Sequence, residues 1–328
     1  MPSQPAEVSR ILRWSLFVAA VSAALCWVAY RLPPPSTSDF DQVWVAARAL
    51  VGGADPYAVV PTTGTHYPFF YPLPSALVAL PLVPLPLPWA RVVWAGVSGA
   101  VFAWAALRYG RGLPAALLSA SFLNAVVQGQ WSPLMTAAAV VPALSWIWVA
   151  KPSVGVAMFA GFPNRRAVIG GLLLAGLAFV VLPGWPARWL EVLRDATHVL
   201  PPVQRPGGFL LLLALLRWRE PEARVLAGLA CVPQTIGLYE TLPLFLIPRT
   251  RWQGYALAGL SYVAAFAQAV AVPRLPGMTL DATLAGRWPY LFALLYLPAL
   301  VLLLLPRRQA GTRDGEPAGA TGGPHSGM

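Results

Sequence analysis

The stretch SDFDQVWVAARALVGGADPY, residues 38 to 57, is a polar interruption between hydrophobic runs, and it holds three of the chain's twelve acidic side chains, Asp39, Asp41 and Asp55. Read as a helix, it sets Phe40, Val43, Ala47 and Leu50 on one apolar face at i, i+3, i+7 and i+10. Asp41, Gln42 and Arg48 then point elsewhere, so the spacing predicts an amphipathic helix lying in a membrane interface. Ser38 supplies an N-cap, and two acids in the first turn favour the helix dipole. Gly52 and Gly53 stop the helix, and Asp55-Pro56 makes a turn. Paired acids at the head of a short helix directly after an apolar run mark the first place to look for chemistry.

The rest of the chain reads as the holder of that stretch. Of 328 residues, 57% are hydrophobic and only 11% charged, with a mean hydropathy of +0.62, far from a soluble domain. The composition predicts an all-α, polytopic membrane protein, seated in the cell membrane. A net charge of +11 raises the question of nucleic acid. The arginines, however, sit in short links between apolar runs, where they set topology, so no nucleic-acid partner is expected. Cys26 and Cys231 both lie in apolar runs and read as buried thiols rather than a disulfide framework. No His, Cys or Glu cluster has metal-ligand spacing, and neither a phosphate-cradling Gly-Lys-Ser/Thr loop nor a dinucleotide fingerprint is present. Neither a protein-built metal site nor a cofactor is expected.

Ile11 to Tyr30 is long enough for a first span, and Arg10 and Arg13 before it put the N-terminus in the cytoplasm. It reads as a retained anchor rather than a signal peptide, since no small-residue cleavage site follows it. The loop from about residue 32 to 88 is then external. Its second half, HYPFFYPLPSALVALPLVPLPLP, is apolar but broken by proline, which favours a re-entrant or broken helix. Trp89 to Leu107 returns inward, Leu113 to Val127 climbs out to Gln128-Gly129-Gln130, and Pro133 to Val149 leads to Lys151-Pro152. Two topologies fit there: a bend at Pro142 that returns, leaving Lys151 outside, or one span that puts Lys151 inside. Asn164-Arg165-Arg166 marks the cytoplasm, and Ala167 to Leu182 runs out to a second external loop over about residues 183 to 208. Phe209 to Leu216, Val225 to Val232 and Thr241 to Pro248 are each shorter than the roughly 20 residues of a straight span, the pattern of discontinuous helices around a site. Tyr255 to Val272 and Tyr290 to Leu305 complete a single domain over residues 1 to 308, and residues 309 to 328 read as a disordered cytoplasmic tail.

Four segments, in order, resemble glycosyltransferase family 87, the polyprenyl-phosphate-mannose-dependent mannosyltransferases of the GT-C class. SDFDQVWVAARALVGGADPY is similar to that family's first external loop. FFYPLPSALVALPLVPLP, residues 69 to 86, resembles its Tyr-Pro-Pro helix with Leu73 in place of one proline. QGQWSPL, residues 128 to 134, is similar to its Gly-Gln-x-Asn segment with Ser132 at the Asn, and AKPS, residues 150 to 153, to the Lys-Pro that follows. The motifs cover about the first half of the chain, as a reduced or divergent member would. The resemblance implies a GT-C-like bundle of about nine to eleven membrane segments with its site on the outer face. It also implies transfer of a hexose, mannose above all, from a polyprenyl-phosphate donor to a glycolipid or polysaccharide acceptor.

Such a transfer needs one carboxylate to take the proton of the attacking hydroxyl, while the departing phosphate needs cations or amide donors. The offset to Ala46-Ala47-Arg48 aligns Asp39 with the family's base, with Asp41 second. The plain alternative is that Asp39 only charges a helix N-terminus. Lys151, the only lysine, sits between Trp148 and an apolar run; it reads as a phosphate partner or as an end-of-helix lysine reaching to the surface. Gln128 and Gln130 offer neutral donors to sugar or phosphate, or are ordinary polar residues at a helix end. Tyr71 comes with the Tyr-Pro motif, and His66 precedes it. Arg188, with Arg194 and Arg205, lies in the second external loop as a phosphate or acceptor contact, or as surface charge. Glu240 is an acid at membrane depth, a functional candidate by that fact. Two rivals stand beside the transferase: a transporter or flippase of a lipid-linked substrate, and a catalytically silent scaffold.

Overall fold

The computed structural model describes residues 5–32, 38–63, 68–194, 200–235, 237–272 and 280–306. The expected tail over residues 309–328 and the candidate His66 lie outside the described residues. Among the described residues every regular element is helical. The first apolar run forms α1 (Pro5–Ala29), and after it come α2 (Asp39–Val51), the short α3 (Pro56–Val59) and α4 (Leu73–Ala79). The second long apolar run forms α5 (Leu87–Tyr109), which lies along α1. Small residues allow the approach: a Cβ on Gly99 would stand 2.4 Å from the Ser22 Oγ, and one on Gly96 3.4 Å from the Ala19 carbonyl.

Proline then cuts the middle of the chain into pieces. Leu113 to Val127 divides into a 3₁₀ turn, Leu113–Leu118, and α6 (Ala120–Val127), the break falling at Ser119, which caps α6. The next run breaks at Val141 into α7 (Ser132–Val140) and the 3₁₀ segment Pro142–Ala150. After Lys151 come α8 (Pro152–Gly161), α9 (Arg165–Val181) and α10 (Trp185–Arg194), the last two bent by 97°. Two further 3₁₀ segments, Gly208–Arg217 and Leu238–Leu246, flank α11 (Pro221–Cys231). Nine or ten residues in 3₁₀ geometry reach about 18–20 Å, against about 14–15 Å in an α-helix, so these short runs extend further than their length implies. The chain closes with α12 (Arg251–Ala271), α13 (Leu280–Leu291), a π-turn over Phe292–Tyr296 and α14 (Leu297–Leu304).

Among the described residues four helices are long and apolar enough to cross a membrane: α1, α5, α12 and the stretch Ala285–Leu304; counting the bent α9–α10 pair makes five. The described residues are thus all-helical with four to five candidate spans, consistent with an all-α membrane protein, against the nine to eleven segments expected. The difference lies in the short pieces, α4, α8 and Gly208–Arg217 among them, which are apolar but below spanning length. The exposed surface of α9 carries Leu172, Leu173, Phe179 and Val180, and that of α1 carries Leu12, Trp14, Leu16 and Phe17. Outside a bilayer such faces have no compensating partner.

The helix α2 departs from its expected setting. Phe40, Val43 and Ala47 are buried as the periodicity requires, but so are Asp41, Gln42, Trp44, Ala46 and Ala49. Only Arg48 and Val51 are fully exposed along it. Rather than floating half-immersed in an interface, α2 is packed into the protein between α4 and α5, where Asp41 pairs with Arg91 of α5.

Candidate functional site

The site starts at the head of α2. Ser38 accepts from the Phe40 N–H at 3.0 Å, and Asp41 reaches back to the Ser38 N–H at 3.0 Å, a reciprocal cap. The turn between α6 and α7 is fastened to this cap. The Asp39 N–H donates to the Gln128 carbonyl at 3.2 Å, and the Ser38 hydroxyl donates to the same carbonyl at 3.0 Å. Gly129 makes the join possible: its φ is +60°, and a Cβ there would meet Ser38 Oγ at 2.3 Å and Phe40 Cβ at 2.8 Å. The indole of Trp94 donates to the Gly129 carbonyl at 3.1 Å and stacks on Phe40, ring centres 5.0 Å apart.

That join sets Gln130 against Asp39. The Gln130 Nε2 donates to Asp39 Oδ2, and the Tyr71 hydroxyl donates to the same oxygen at 3.4 Å. Asp39 is half-buried, and its Oδ1 accepts no hydrogen bond among the described residues. Burial, with the Asp39 charge beside it, pushes the Tyr71 phenol well above its ordinary value, so it remains a protonated donor. On the other side of Gln130 its Oε1 accepts from Lys151 Nζ at 3.4 Å. Lys151 occupies the N-cap position of α8 and is buried; its Nζ lies 3.5 Å from Glu240 Oε1 and 5.1 Å from the centre of the Tyr239 ring. Asp39, Tyr71, Gln130, Lys151 and Glu240 thus form one connected chain drawn from five separated parts of the sequence.

The other candidates sit elsewhere. Asp41 is held by Arg91, whose Nε donates to Oδ1 at 2.6 Å and Nη2 to Oδ2 at 2.5 Å. Arg91 also lies over the Tyr30 ring, 4.1 Å from its centre. Burial pushes the Asp41 carboxyl up from its ordinary value and Arg91 pulls it back. Both oxygens are engaged by Arg91, and Oδ2 also by the Ser38 N–H, so Asp41 fixes the helix head. Gln128 contributes its backbone carbonyl to the same join. Arg188, on α10, pairs with Asp55 Oδ2, while Asp55 Oδ1 caps α3 by accepting from the Tyr57 N–H at 3.0 Å. Next to it the Trp189 indole donates to the Phe70 carbonyl at 2.9 Å, so α10 is laid over the loop that presents Tyr71. Among the described residues no group of three metal-ligating side chains occurs.

Sequence reasoning missed the parts played by four residues. Arg91 was legible as a lone arginine inside an apolar helix, which needs an acid. Tyr239 adjoins Glu240 and gave no separate signal. Trp131 Nε1 and Ser132 Oγ, next to Gln130, are buried donors without a partner among the described residues, and only the fold reveals that. Fold and site together define an all-helical membrane protein with a polar chain, one half-buried carboxylate and one buried ammonium in its interior. No family model matches the chain, and it has no match among the curated proteins or the solved structures.

Proposed function

We propose that the protein is a membrane glycosyltransferase that moves a hexose, mannose first, from a polyprenyl-phosphate donor to a glycolipid or polysaccharide acceptor at the outer face of the membrane. The observation that carries this reading is the hydrogen-bonded path from Asp39 through Gln130 to Lys151, which joins three of the four segments that resemble glycosyltransferase family 87. Tyr71, from the fourth segment, touches the same Asp39 oxygen. The convergence of these segments on one carboxylate whose second oxygen stays open supports the reading.

In the proposed reaction the acceptor hydroxyl oxygen attacks the anomeric carbon from the face opposite the phosphate. The new glycosidic bond forms as the bond to the phosphate oxygen breaks, the electron pair leaving with the phosphate. Asp39 takes the hydroxyl proton on Oδ1 while Gln130 and Tyr71 hold Oδ2 and fix the orientation of the carboxylate. Lys151, at the N-terminus of α8, faces the phosphate with an ammonium and the positive end of a helix dipole. No separate general acid is needed, because the phosphate leaves with a charge it already carries.

The test is sugar transfer in proteoliposomes with radiolabelled polyprenyl-phosphate mannose and a mixed lipid acceptor, wild type beside Asp39→Asn. A labelled product from wild type and at least a 1,000-fold loss in the variant, on the order of what removing a general base costs, is the expected result. Full activity of Asp39→Asn overturns the mechanism. The transporter reading draws on the buried Lys151–Glu240 pair, which also suits a translocation path. It predicts donor flux across the bilayer without product, and tolerance of Asp39→Asn.

A further inference from the structure

At the end of α8 away from Lys151, the chain turns into α9 and leaves a groove of about 360 Å³ lined by Phe159, Pro163, Asn164, Arg165, Val168 and Ile169. Its walls are braced from behind. Asn164 Oδ1 caps α9 by accepting from the Ala167 N–H at 3.0 Å and lies 2.8 Å from the Ser145 hydroxyl. Against the 3₁₀ segment Pro142–Ala150 α9 packs closely, a Cβ on Gly170 standing 2.5 Å from Trp146 Cβ. The Phe159 ring meets Trp148 edge-on, centres 6.5 Å apart. The outward faces nevertheless stay bare, with Phe159 38%, Val168 46% and Ile169 58% exposed.

The mouth of this groove is cationic. Arg165 lines it and Arg166 follows; both are exposed, and neither enters an ion pair among the described residues. The groups that would repel an anion are already engaged. Arg224 donates to the Ala160 and Gly161 carbonyls at 2.8 and 2.9 Å, and Asn164 Nδ2 donates to the Phe162 carbonyl at 3.1 Å. At the head of α11, against which Gly161 packs, Glu220 is held by Arg217 and Arg249, and Glu222 by Arg111. A soluble anion satisfies the arginines but leaves the apolar walls wet, whereas a lipid covers both. Val168 and Ile169 lead along α9 to the exposed Leu172 and Leu173, a track for an acyl chain. The arginines mark an end that the positive-inside rule assigns to the cytoplasm, where the leaflet carries anionic headgroups.

We infer that the α8–α9 groove binds an anionic phospholipid of the cytoplasmic leaflet, its phosphate at Arg165 and Arg166 and an acyl chain against Phe159, Val168 and Ile169. The site is separate from the transfer chemistry and stands whether or not the protein moves sugar. Its test uses the full chain in detergent and a phosphatidylglycerol with a photoreactive group on its acyl chain, the cross-links being mapped by peptide mass spectrometry. Label is expected within residues 159 to 173. Unlabelled phosphatidylglycerol should displace it at roughly 30-fold lower concentration than phosphatidylcholine, each arginine contributing about a factor of five. Arg165→Gln/Arg166→Gln is expected to bring that ratio to within about threefold. Arg219→Gln/Arg251→Gln, which removes the same charge beside the Arg249–Glu220 pair, is expected to leave it unchanged. Because the ratio compares two competitors on one protein, partial loss of folded protein does not mimic it. No label within residues 159 to 173, or a wild-type ratio in Arg165→Gln/Arg166→Gln, overturns the site. An equal fall in both double variants reduces it to general surface charge and overturns it too. Displacement by inorganic phosphate as readily as by phosphatidylglycerol shows a soluble-anion site and overturns the lipid as its occupant.

Discussion

Asp39 and Asp41 stand two positions apart on the same helix and have different surroundings. Asp39 gives one oxygen to Gln130 and Tyr71 and keeps the other open, while Asp41 gives both to Arg91 and adds the Ser38 N–H. The consequence is a separation of stability from activity. Asp41→Ala strands the partly buried Arg91 and removes a cap, which costs about 3–5 kcal/mol for breaking a buried pair, read as a lowered unfolding temperature in detergent. The double variant Asp41→Leu/Arg91→Met, which replaces the pair with apolar volume, is expected to recover most of that loss. Asp39→Asn keeps the shape and an acceptor oxygen and is expected to unfold within about 1 kcal/mol of wild type. Equal destabilisation by Asp39→Asn and Asp41→Ala would show that the two acids share one structural role. The sequence announced both acids but not their division of labour, because the deciding partner, Arg91, lies fifty residues away and is visible only once α2 rests on α5.

At the scale of elements, the join between the α6–α7 turn and the head of α2 carries the site. It depends on Gly129, where the left-handed backbone and the proximity of Ser38 and Phe40 both exclude a side chain. Gly129→Ala is expected to cost about 1–3 kcal/mol in backbone strain and close contact and, more tellingly, to pull Gln130 off Asp39. Transfer should fall by at least tenfold in a variant that still inserts and folds, since a displaced orienting group weakens the base without removing it. Wild-type transfer by Gly129→Ala would show that the join does not position Gln130. The Gln-Gly-Gln motif was legible in the sequence, as were α1, α5 and α12, whose apolar runs are long and uninterrupted. The 3₁₀ segments were not, because periodicity in an all-apolar run cannot separate a 3₁₀ from an α path, and only the brevity of those runs was visible. The buried polar face of α2 was equally hidden: amphipathic spacing places Asp41 and Gln42 on the wet side unless a partner inside the fold claims them.

For the whole molecule, the charge pattern and the site must agree on sidedness. Arg10 and Arg13 lie in the N-terminal turns of α1, Arg165 and Arg166 open α9, and Arg249 and Arg251 flank the start of α12, all ends that the positive-inside rule assigns to the cytoplasm. On the same rule the α2–α3 loop, with exposed Ala54, is expected to face outward, as the proposed transfer from a polyprenyl-linked donor requires. Sidedness is open to direct measurement with single cysteines introduced into a protein carrying Cys26→Ala and Cys231→Ala. A membrane-impermeant maleimide should label Ala54→Cys in intact cells, and Arg251→Cys only after permeabilisation. Donor transfer should follow the same geometry, with right-side-out vesicles accepting added donor and inverted vesicles requiring it inside. Labelling of Ala54→Cys only after permeabilisation would turn the molecule over and place Asp39, Gln130 and Lys151 at the cytoplasmic surface. A lipid-linked donor facing outward could not then reach the carboxylate, and the transferase would have to draw its sugar from the inner leaflet.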